Sequence, residues 1–354
     1  MGEPARSMTT TRSARVLSGL PRTLALVGAL SAPAAAASDV LTPPAFHGTR
    51  ESPAWLSLRL GNGPSGKAQS KAEPALEVGA PTWVRLNLSL TATWRRFCAR
   101  PGVDSCGAYE RLPEEEQLGD TSDFSSSYPY LGLALEAEVL PLARHPTSAL
   151  RGLGVQLGAQ RGFSSSDVTL TGDGGQTPVR EVNATDTAFT AQAMYRFYFR
   201  FGTTRPQQGY VGARAGIQTR AFDVEQSTDT PLTGTHRVFP SVALDLSVPL
   251  FSSVRLDASG GLLLSPKPGH SPEADGGRRA LEVRDYGTSV SSFGWSAELG
   301  VSGDIWGPFG YDVAWRLAHF KDRFSGAGTL TGWNDGGAAE ETYSSLHVGL
   351  IATY

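Results

Sequence analysis

Lysine is almost absent from this chain of 354 residues. The lysines are Lys67, Lys71, Lys267 and Lys321. None of them falls in the alternating segments described below, whereas a water-exposed sheet normally carries lysine on its polar face. This argues against a soluble periplasmic or secreted barrel or sandwich, which would also alternate. The net charge of −3 and the pI of about 6.1 leave no basic excess, so we expect no nucleic-acid partner.

Long hydrophobic runs are also missing. No stretch reaches the roughly 20 apolar residues that a membrane-spanning helix requires. The short apolar core 24–30 follows a basic region and precedes the run 35–37, which is all alanine. This is the pattern of a secretory signal peptide. We expect residues 1–37 to be a cleaved signal peptide and Ser38 to begin the mature chain, and the lack of a cysteine there argues against a lipoprotein.

The segment 38–81 is rich in proline, glycine and serine. Such a composition favours irregular structure, and we expect a Pro/Gly-rich extension in the periplasm. Two short alternating pieces within 55–78 would form an extra hairpin. They leave the number of strands in the following domain open between ten and twelve.

Cysteine is scarce as well, with Cys98 and Cys106 the two in the chain. An exported protein meets an oxidising compartment, so the sequence predicts a disulfide that closes this short loop. Neither cysteine has a histidine neighbour, which argues against a metal site. We expect no metal and no cofactor.

From residue 82 to the end, apolar and polar side chains alternate in segments of about ten residues, which is the period of a strand with two unlike faces. In the first segment Leu86, Leu88 and Leu90 share one face, and Asn87 and Ser89 share the other. No apolar face contains a charged residue, which would cost roughly 2–4 kcal/mol at the bilayer midplane. The ten segments are 84–95, 130–139, 153–160, 189–200, 211–220, 242–246, 254–264, 293–301, 309–317 and 346–354.

Strands that cross hydrocarbon must close into a barrel, because an open edge would leave backbone groups unpaired. The sequence therefore predicts an all-β fold: a closed antiparallel transmembrane β-barrel over 82–354, with ten strands, or twelve with the extra hairpin. Short and long connections alternate, as expected for short periplasmic turns and long outer loops. The short connections are 140–149, 202–208, 249–252 and 303–308, and the long ones are 98–127, 162–186, 223–235, 265–288 and 321–341.

Aromatic residues are predicted to mark the two membrane interfaces, where amphipathic rings meet headgroups. The outer level would hold Trp94, Phe97, Tyr128, Phe239, Phe293 and Phe320. The inner level would hold Trp83, Phe199, Phe201, Tyr210, Phe251, Phe309 and Tyr354.

The last segment resembles the C-terminal assembly signal of bacterial outer-membrane β-barrel proteins. His347, Gly349 and the terminal Tyr354 match that signal, and Ala352 departs from it because a larger apolar or aromatic residue is usual there. The resemblance covers the architecture of 82–354 and names no subfamily. It implies location in the cell outer membrane, contact with outer-membrane lipid and lipopolysaccharide, and handling by the barrel-assembly machinery.

The polar faces carry arginines and carboxylates that would meet inside a narrow barrel. Arginine suits this setting because its planar fork pairs with carboxylates through two hydrogen bonds. We expect a polar lumenal network that stabilises the barrel and blocks most of its cross-section. Its predicted members are Arg85, Arg95, Glu136, Glu138, Arg196, Arg200, Arg214, Arg220, Asp245, Arg255, Asp257, Glu298, Asp312 and Arg316.

Known motifs of barrel enzymes are missing from the sequence. The omptin-type proteases resemble this chain in their ten-strand architecture, but the sequence contains neither the Asp-x-Asp nor the Asp-x-His spacing that activates water in them. The strand histidines His319 and His347 lack the serine two residues on that barrel lipases use. We expect no enzyme. The preferred function is a structural barrel or narrow small-solute pore, and the alternatives are surface binding through long loops and an unrecognised barrel hydrolase.

Overall fold

A computed structural model describes residues 82–354 apart from 146–147, 169–170, 173–174, 177–179, 202–206, 225–233, 252, 270–280 and 282. All of the described residues belong to one compact unit. The predicted signal peptide (1–37) and extension (38–81), including the 55–78 hairpin, lie outside the described residues. In the part of the chain that the structure covers, no helix is both long enough and apolar enough to span a membrane.

Ten long strands form one antiparallel sheet, in which each strand pairs with its neighbour in the sequence and the last pairs with the first. The prediction of an all-β, closed, ten-strand antiparallel barrel is confirmed. The strands are β1 (Val84–Pro101), β2 (Tyr130–Val139), β3 (Leu153–Val168), β4 (Arg180–Phe201), β5 (Gln207–Val224), β6 (Thr235–Phe251), β7 (Val254–Leu264), β8 (Ser289–Trp306), β9 (Phe309–Ser325) and β10 (Gly337–Thr353).

The seam of the barrel joins β1 to β10 from Arg85 opposite Thr353 to Pro101 opposite Gly337. Beyond these pairs, Val84 and Tyr354 exchange backbone hydrogen bonds of 3.1 and 2.9 Å. A closed sheet leaves no row of unpaired backbone groups along this seam, which is the condition for strands to lie in lipid.

An apolar belt covers the outside of the barrel, built from alternate residues of each strand. Leu90 on β1, Leu244 on β6 and Leu350 on β10 expose 68%, 67% and 65% of their surface. In water such a belt would be a large contiguous apolar patch, which soluble monomers rarely show. The alternation that predicted the strands is therefore also what makes the barrel a transmembrane one.

The strands run further at the long-loop end than the sequence predicted. Lys321 was placed outside the strands but lies in β9, and Thr235, the last residue of the predicted connection 223–235, begins β6. Hydrogen bonding between strands continues after the apolar face has ended, because backbone pairing does not depend on contact with lipid. The long connections are correspondingly shorter than predicted, except 265–288, which keeps its predicted bounds.

Short elements complete the long-loop end. A strand of four residues, Ser122–Ser125, adds to β1, and Thr171–Gly172 pairs with Gly175–Gln176. Two single-turn helices are α1 (Cys106–Tyr109) and α2 (Val283–Tyr286). Cys98 on β1 and Cys106 in α1 are joined by a disulfide. The 3-10 turn Glu114–Glu116 lies in the first long connection. At the opposite, short-turn end, a second 3-10 turn, Ala149–Gly152, lies in the first short connection.

The aromatic levels are partly wrong. Phe97, Phe239 and Phe320 are 3%, 2% and 1% exposed and lie in the barrel interior rather than in an outer belt. Tyr210 also faces inward, where it lines the lumen. Side chains of a strand point alternately into and out of the barrel, and each of these residues occupies an inward position of its strand. This alternation, and not the residue type, decides which way the side chain points.

Candidate functional site: the barrel lumen

Inward-facing side chains divide the lumen into two levels. The half near the short turns, here the lower lumen, contains charged and amide side chains around a cavity of about 220 Å³. The half near the long loops is filled by an aromatic cluster, here the aromatic plug. The plug consists of Phe97, Phe124, Tyr130, Phe222, Phe239, Tyr286, Phe320, Phe324, Trp333 and Tyr343.

Glu138 on β2 anchors one side of the lower lumen. Arg196 on β4 donates two hydrogen bonds to its carboxylate, Nη1 to Oε2 at 2.9 Å and Nη2 to Oε1 at 2.7 Å. Arg85 on β1 lies 3.8 Å from the same carboxylate. This two-bond pairing fixes the arginine plane as well as the distance.

Arg316 on β9 bridges two carboxylates of the lower lumen. It forms an ion pair with Glu136 on β2, and its Nε lies 3.2 Å from Glu298 Oε2 on β8. Strands β2 and β9 are not neighbours in the sheet. The Arg316–Glu136 pair therefore crosses the lumen and divides its cross-section.

Two further carboxylates, Asp257 and Asp312, lie nearer the short turns. Asp312 accepts a hydrogen bond from Asn87 Nδ2 at 3.2 Å. Asp257 accepts hydrogen bonds from the hydroxyls of Ser247 and Ser302. The guanidinium of Arg255 donates to Ser247 Oγ at 3.0 Å, so Ser247 links it to Asp257.

A further ion pair of the lower lumen joins Arg214 on β5 to Asp245 on β6, with Nη2 2.8 Å from Oδ1. Arg214 Nη1 also donates to Gln156 Oε1 at 2.6 Å. Among the lumenal groups of the described residues, the carboxylate oxygens of Asp245 and Nε of Arg214 make no well-aligned hydrogen bond to protein atoms. These atoms have almost no exposed surface, and the guanidinium and the carboxylate of the pair are turned towards each other.

Inside the plug, four charged side chains form a continuous network. Arg95 donates to Glu341 from Nε at 2.8 Å, and Arg237 Nε donates to the other oxygen of Glu341 at 3.2 Å. Arg237 also makes two bonds to Asp322, at 3.0 and 2.7 Å. Arg95, Glu341, Arg237 and Asp322 lie on β1, β10, β6 and β9. The network therefore links β6 to β1, β9 and β10 on the opposite wall of the barrel.

Asp186 on β4 connects the plug to the lower lumen. It accepts a hydrogen bond from the hydroxyl of Tyr130 at 2.8 Å and pairs with Arg220 on β5. The guanidinium of Arg220 lies 3.7 Å from the ring centre of Tyr343 and also lines the cavity. Arg220 thus forms part of the cavity ceiling.

A cap of outer loops covers the plug. Trp333 has no exposed surface, and its ring lies 4.6 Å from that of Tyr286 in an edge-to-face arrangement. Its Nε1 donates to the backbone oxygen of Asp120 at 2.8 Å, and Thr331 N donates to Asp120 Oδ2 at 2.9 Å. These bonds join the first long connection to the last one.

The structure distributes the predicted lumenal residues over four places. Arg95 lies in the plug rather than beside the cavity, and Arg200 is exposed at the short-turn end. Arg255 lies below the cavity, bound to Ser247. The others line the cavity: Arg85, Glu136, Glu138, Arg196, Arg214, Arg220, Asp245, Asp257, Glu298, Asp312 and Arg316.

Sequence reasoning missed Asp186, Arg237, Asp322 and Glu341. Asp322 and Glu341 fell in the connection predicted for 321–341, and Asp186 fell in the one predicted for 162–186. A signal was present, because the two-residue period continues through these stretches with its faces exchanged. In 320–324, Phe320, Asp322 and Phe324 share one face, and Lys321 and Arg323 share the other.

The residues of the predicted assembly signal lie at the seam. His347 and Gly349 point into the lumen, and His347 Nε2 lies 3.1 Å from Ser345 Oγ. Tyr354 lies beside Trp83, with ring centres 6.4 Å apart, and Arg144 lies over both rings. A role for these residues in assembly stays a prediction.

One cluster of potential metal ligands occurs in the described part of the chain: Cys98, Cys106 and Glu340. Both thiols are used in the disulfide. A metal would need their thiolates, so the oxidised chain offers a single carboxylate at this place.

The sequence matches no family model and no curated protein. Among solved structures, the outer membrane protease OmpT from Escherichia coli aligns with 8% identity and a TM-score of 0.42, over 77% of this chain and 96% of that one. A FadL homologue from Pseudomonas aeruginosa aligns with 9% identity and a TM-score of 0.27, over 76% and 90%. An anion-selective porin from Comamonas acidovorans aligns with 9% identity and a TM-score of 0.19, over 77% and 100%.

The chain resembles the bacterial outer-membrane β-barrel proteins. Its own closed sheet, its apolar belt and its filled interior define that architecture. The likeness concerns the fold, so the function is argued below from the residues of this chain.

Proposed function

We propose that this chain is an integral outer-membrane barrel that acts as a narrow small-solute pore, held shut by the aromatic plug. The lower lumen provides a polar vestibule, and the plug separates it from the long-loop end. The single observation that carries the proposal is the burial of the plug, in which Phe222 and Phe320 are each 1% exposed and Trp333 has no exposed surface.

Placement in the outer membrane is part of the proposal. The apolar belt requires a hydrocarbon environment, and the predicted signal peptide would bring the chain to the periplasm. The partners would be outer-membrane lipid and lipopolysaccharide, with the barrel-assembly machinery acting during biogenesis. The long loops would then face the exterior and the short turns the periplasm.

A non-enzymatic role is also part of the proposal. Ser345 and His347 form the pair most similar to a nucleophile and its base, but His347 Nδ1 bonds to no described group that would orient the ring. Nucleophilic sites normally hold the base by a third group. Most charged residues of the lower lumen are in ion pairs with each other: Arg85, Glu136, Glu138, Arg196, Arg214, Asp245, Glu298 and Arg316.

Barrel width supports a narrow rather than a general pore. Interior width grows with strand number, and open aqueous channels occur at about sixteen strands. With ten strands, side chains of ordinary length reach across the lumen, as Arg316 and Glu136 do. We therefore expect low, intermittent conductance from the unmodified protein.

Planar-bilayer recording of the purified full chain tests the proposal. Replacing Phe222 and Phe320 by alanine should open a path through the plug and give larger conductance steps. The matched control replaces Phe251 and Phe309, which are exposed outside the lumen, and should leave conductance low. Retention of the fold is checked by the shift in apparent mass between unboiled and boiled samples.

A large steady conductance of the unmodified protein would show that the plug does not close the lumen. If the variant with Phe222 and Phe320 replaced by alanine folds but does not conduct, the pore function is excluded and a structural barrel remains. A soluble periplasmic protein in cell fractionation would overturn the placement.

A second function, surface binding, is favoured by the cap. Asp120, Thr331 and Trp333 lock the first and last long connections together, which gives the long-loop end a fixed surface. Replacing residues 112–117 by a glycine-serine linker should abolish adhesion of expressing cells while the barrel still folds. Unchanged adhesion would exclude this loop from binding.

A further inference from the structure

Outward-facing side chains change in character where the apolar belt ends towards the long loops. On the adjoining strands β8, β9, β10 and β1, these positions carry indole rings and basic groups. We propose that this surface, here the headgroup patch, binds the phosphorylated sugar headgroup of lipopolysaccharide. The patch consists of Trp94, Arg96, Trp295, Trp315, His319 and Lys321. The proposal rests on the placement in the proposed function and deepens it, because it names where the barrel would hold that lipid.

The basic residues of the patch continue the apolar faces of their strands. Arg96 lies on the same face of β1 as Leu90, which is 68% exposed. Lys321 lies on the same face of β9 as Val313, which is 41% exposed. Both basic residues are nearer the long loops than the apolar residues of their strand. They therefore lie on the outside of the barrel, beyond the hydrocarbon level, where the headgroup region begins.

Strand register places the polar side chains of the patch in one row. His319 on β9 lies opposite Trp295 on β8, and their rings are 5.9 Å apart. On its other side His319 lies opposite Thr342 on β10, with Nδ1 2.8 Å from Oγ1. Thr342 in turn lies opposite Arg96 on β1. The row crosses the outer surface of all four strands.

Indole rings border this row on its membrane side. Trp315 is 51% exposed and donates from Nε1 to Ser344 Oγ at 2.8 Å. Trp94 lies opposite Ser344 on the neighbouring strand. Tryptophan is enriched at the headgroup level because its ring is largely apolar and its N–H is polar. The patch thus lies at the boundary between acyl chains and headgroups.

Arg96 supplies the charge that a phosphate would meet. Its side chain is exposed, and it makes no ion pair or hydrogen bond with the described residues. Lys321 lies 3.2 Å from Glu340. Arg323, the next outward residue of β9, lies 4.0 Å from Asp104. Basic groups therefore outnumber the carboxylates beside them, and arginine binds phosphate well because its planar fork donates two parallel hydrogen bonds.

The spacing of the basic groups favours lipopolysaccharide over a phospholipid. Arg96 and Lys321 lie on strands separated by β10, so their backbones are roughly 10 Å apart across the sheet. The lipid anchor of lipopolysaccharide carries a phosphate at each end of a disaccharide, so one molecule can contact both groups. A phospholipid offers a single phosphate. The long loops face the exterior in the proposed placement, and the outer leaflet is the one that contains lipopolysaccharide.

Native mass spectrometry of the purified full chain in detergent tests the patch, with lipopolysaccharide and phosphatidylglycerol as probes. Lipopolysaccharide should bind at least about tenfold more tightly than phosphatidylglycerol. Arg96→Gln combined with Lys321→Gln should weaken lipopolysaccharide binding by about tenfold, because charge-assisted bonds to phosphate are lost. Arg111→Gln is the control, since Arg111 is an exposed arginine of the first long connection, outside the patch.

A second probe isolates the contribution of the phosphates. Lipopolysaccharide treated with phosphatase should bind the unmodified chain about as weakly as intact lipopolysaccharide binds the double variant. The shift in apparent mass between unboiled and boiled samples confirms that each variant is folded. Equal binding of intact lipopolysaccharide to the unmodified chain and the double variant overturns the proposal. Binding of phosphatidylglycerol or of the phosphatase-treated probe as tight as that of intact lipopolysaccharide also overturns it.

Failure of the patch and failure of the pore give different results. If the barrel with Phe222 and Phe320 replaced by alanine conducts but lipopolysaccharide binding is not selective, the patch is excluded and the pore remains. Selective lipopolysaccharide binding without conductance in any variant keeps the patch and excludes the pore. Recovery of the chain as a soluble periplasmic protein would exclude both.

Discussion

The guanidinium of Arg95 lies 4.0 Å from the ring centre of Phe222, in a place where Arg95 has no exposed surface. A cation over an aromatic face is attracted by the ring quadrupole, and more strongly where water is excluded. Its charge is balanced by Glu341, whose nearest oxygen lies 2.7 Å from Arg95 Nη2. The aromatic plug is thus built around an ion pair as well as around apolar contacts.

The first prediction follows from that pair. Glu341→Gln should lower the free energy of unfolding by about 3–5 kcal/mol, because two buried arginines, Arg95 and Arg237, lose their shared carboxylate. Glu340→Gln, one residue away on the outer face, should change it by about 0–1 kcal/mol, as for an exposed pair. Urea unfolding in lipid vesicles measures both. Equal losses would mean that the two faces of β10 are not distinguished as described.

The second prediction concerns the apolar belt. Leu88 is 57% exposed on the outside of β1, so Leu88→Arg should lower the free energy of unfolding in vesicles by about 2–4 kcal/mol. Ser259→Arg is the matched control on the lumenal side. Ser259 lines the cavity and lies opposite Asp245 and Glu298 on the neighbouring strands, whose carboxylates would receive the new cation. A milder effect at Leu88 than at Ser259 would reverse the assignment of the faces.

The third prediction separates packing from assembly at Gly349. A Cβ added there would lie 2.5 Å from Asn87 Oδ1 and nearer still to Ser89 Oγ. Gly349→Ala should therefore destabilise the barrel by about 1–3 kcal/mol, as overpacking does. At Gly260 an added Cβ meets nothing within 4 Å, and Gly260→Ala should be neutral or slightly stabilising because the unfolded chain loses freedom.

Refolding of purified protein without the assembly machinery measures the stability of both glycine variants. If Gly349→Ala is as stable as the unmodified chain in this assay and still fails to accumulate in cells, the glycine acts in assembly rather than in packing.

The fourth prediction concerns the disulfide. Removing it by Cys98→Ser with Cys106→Ser should lower the free energy of unfolding by about 2–3 kcal/mol, since it closes a short loop. Strand pairing of β1 with β10 should persist, because it involves the backbone over the whole length of both strands. Alkylation of the unreduced protein before and after unfolding provides the check: incorporation of label would show free thiols.

The barrel and its lower lumen could be predicted from the sequence because lipid imposes one rule on every strand. Residues such as Leu88 must be apolar outside, and Arg196 and Glu138 can be charged only inside, so alternation reports both the strand and its face. The closed sheet then follows from the need to pair every backbone group.

The plug could not be found by the same rule because the rule reverses beyond the membrane. On β9, Phe320 and Phe324 face inward, while Lys321 and Arg323 face outward, as in a barrel surrounded by water. An aromatic residue read by type alone is therefore placed in the belt, which is the error made for Phe97 and Phe239. Phe97 is two residues from Arg95 on the same strand, so its side chain points the same way, and this spacing would have placed Phe97 inside.

The seam has a consequence for the time course of folding. Arg85 lies opposite Thr353, so the final pairing joins the two most distant parts of the barrel sequence. Closing so long a loop carries the largest entropic penalty of any strand pairing here and slows folding. Until the last strand pairs with the first, both edge strands of the sheet have unpaired backbone groups that can pair with other chains. Loss of even the last few residues should therefore trap an unclosed sheet that aggregates, rather than yield a smaller barrel.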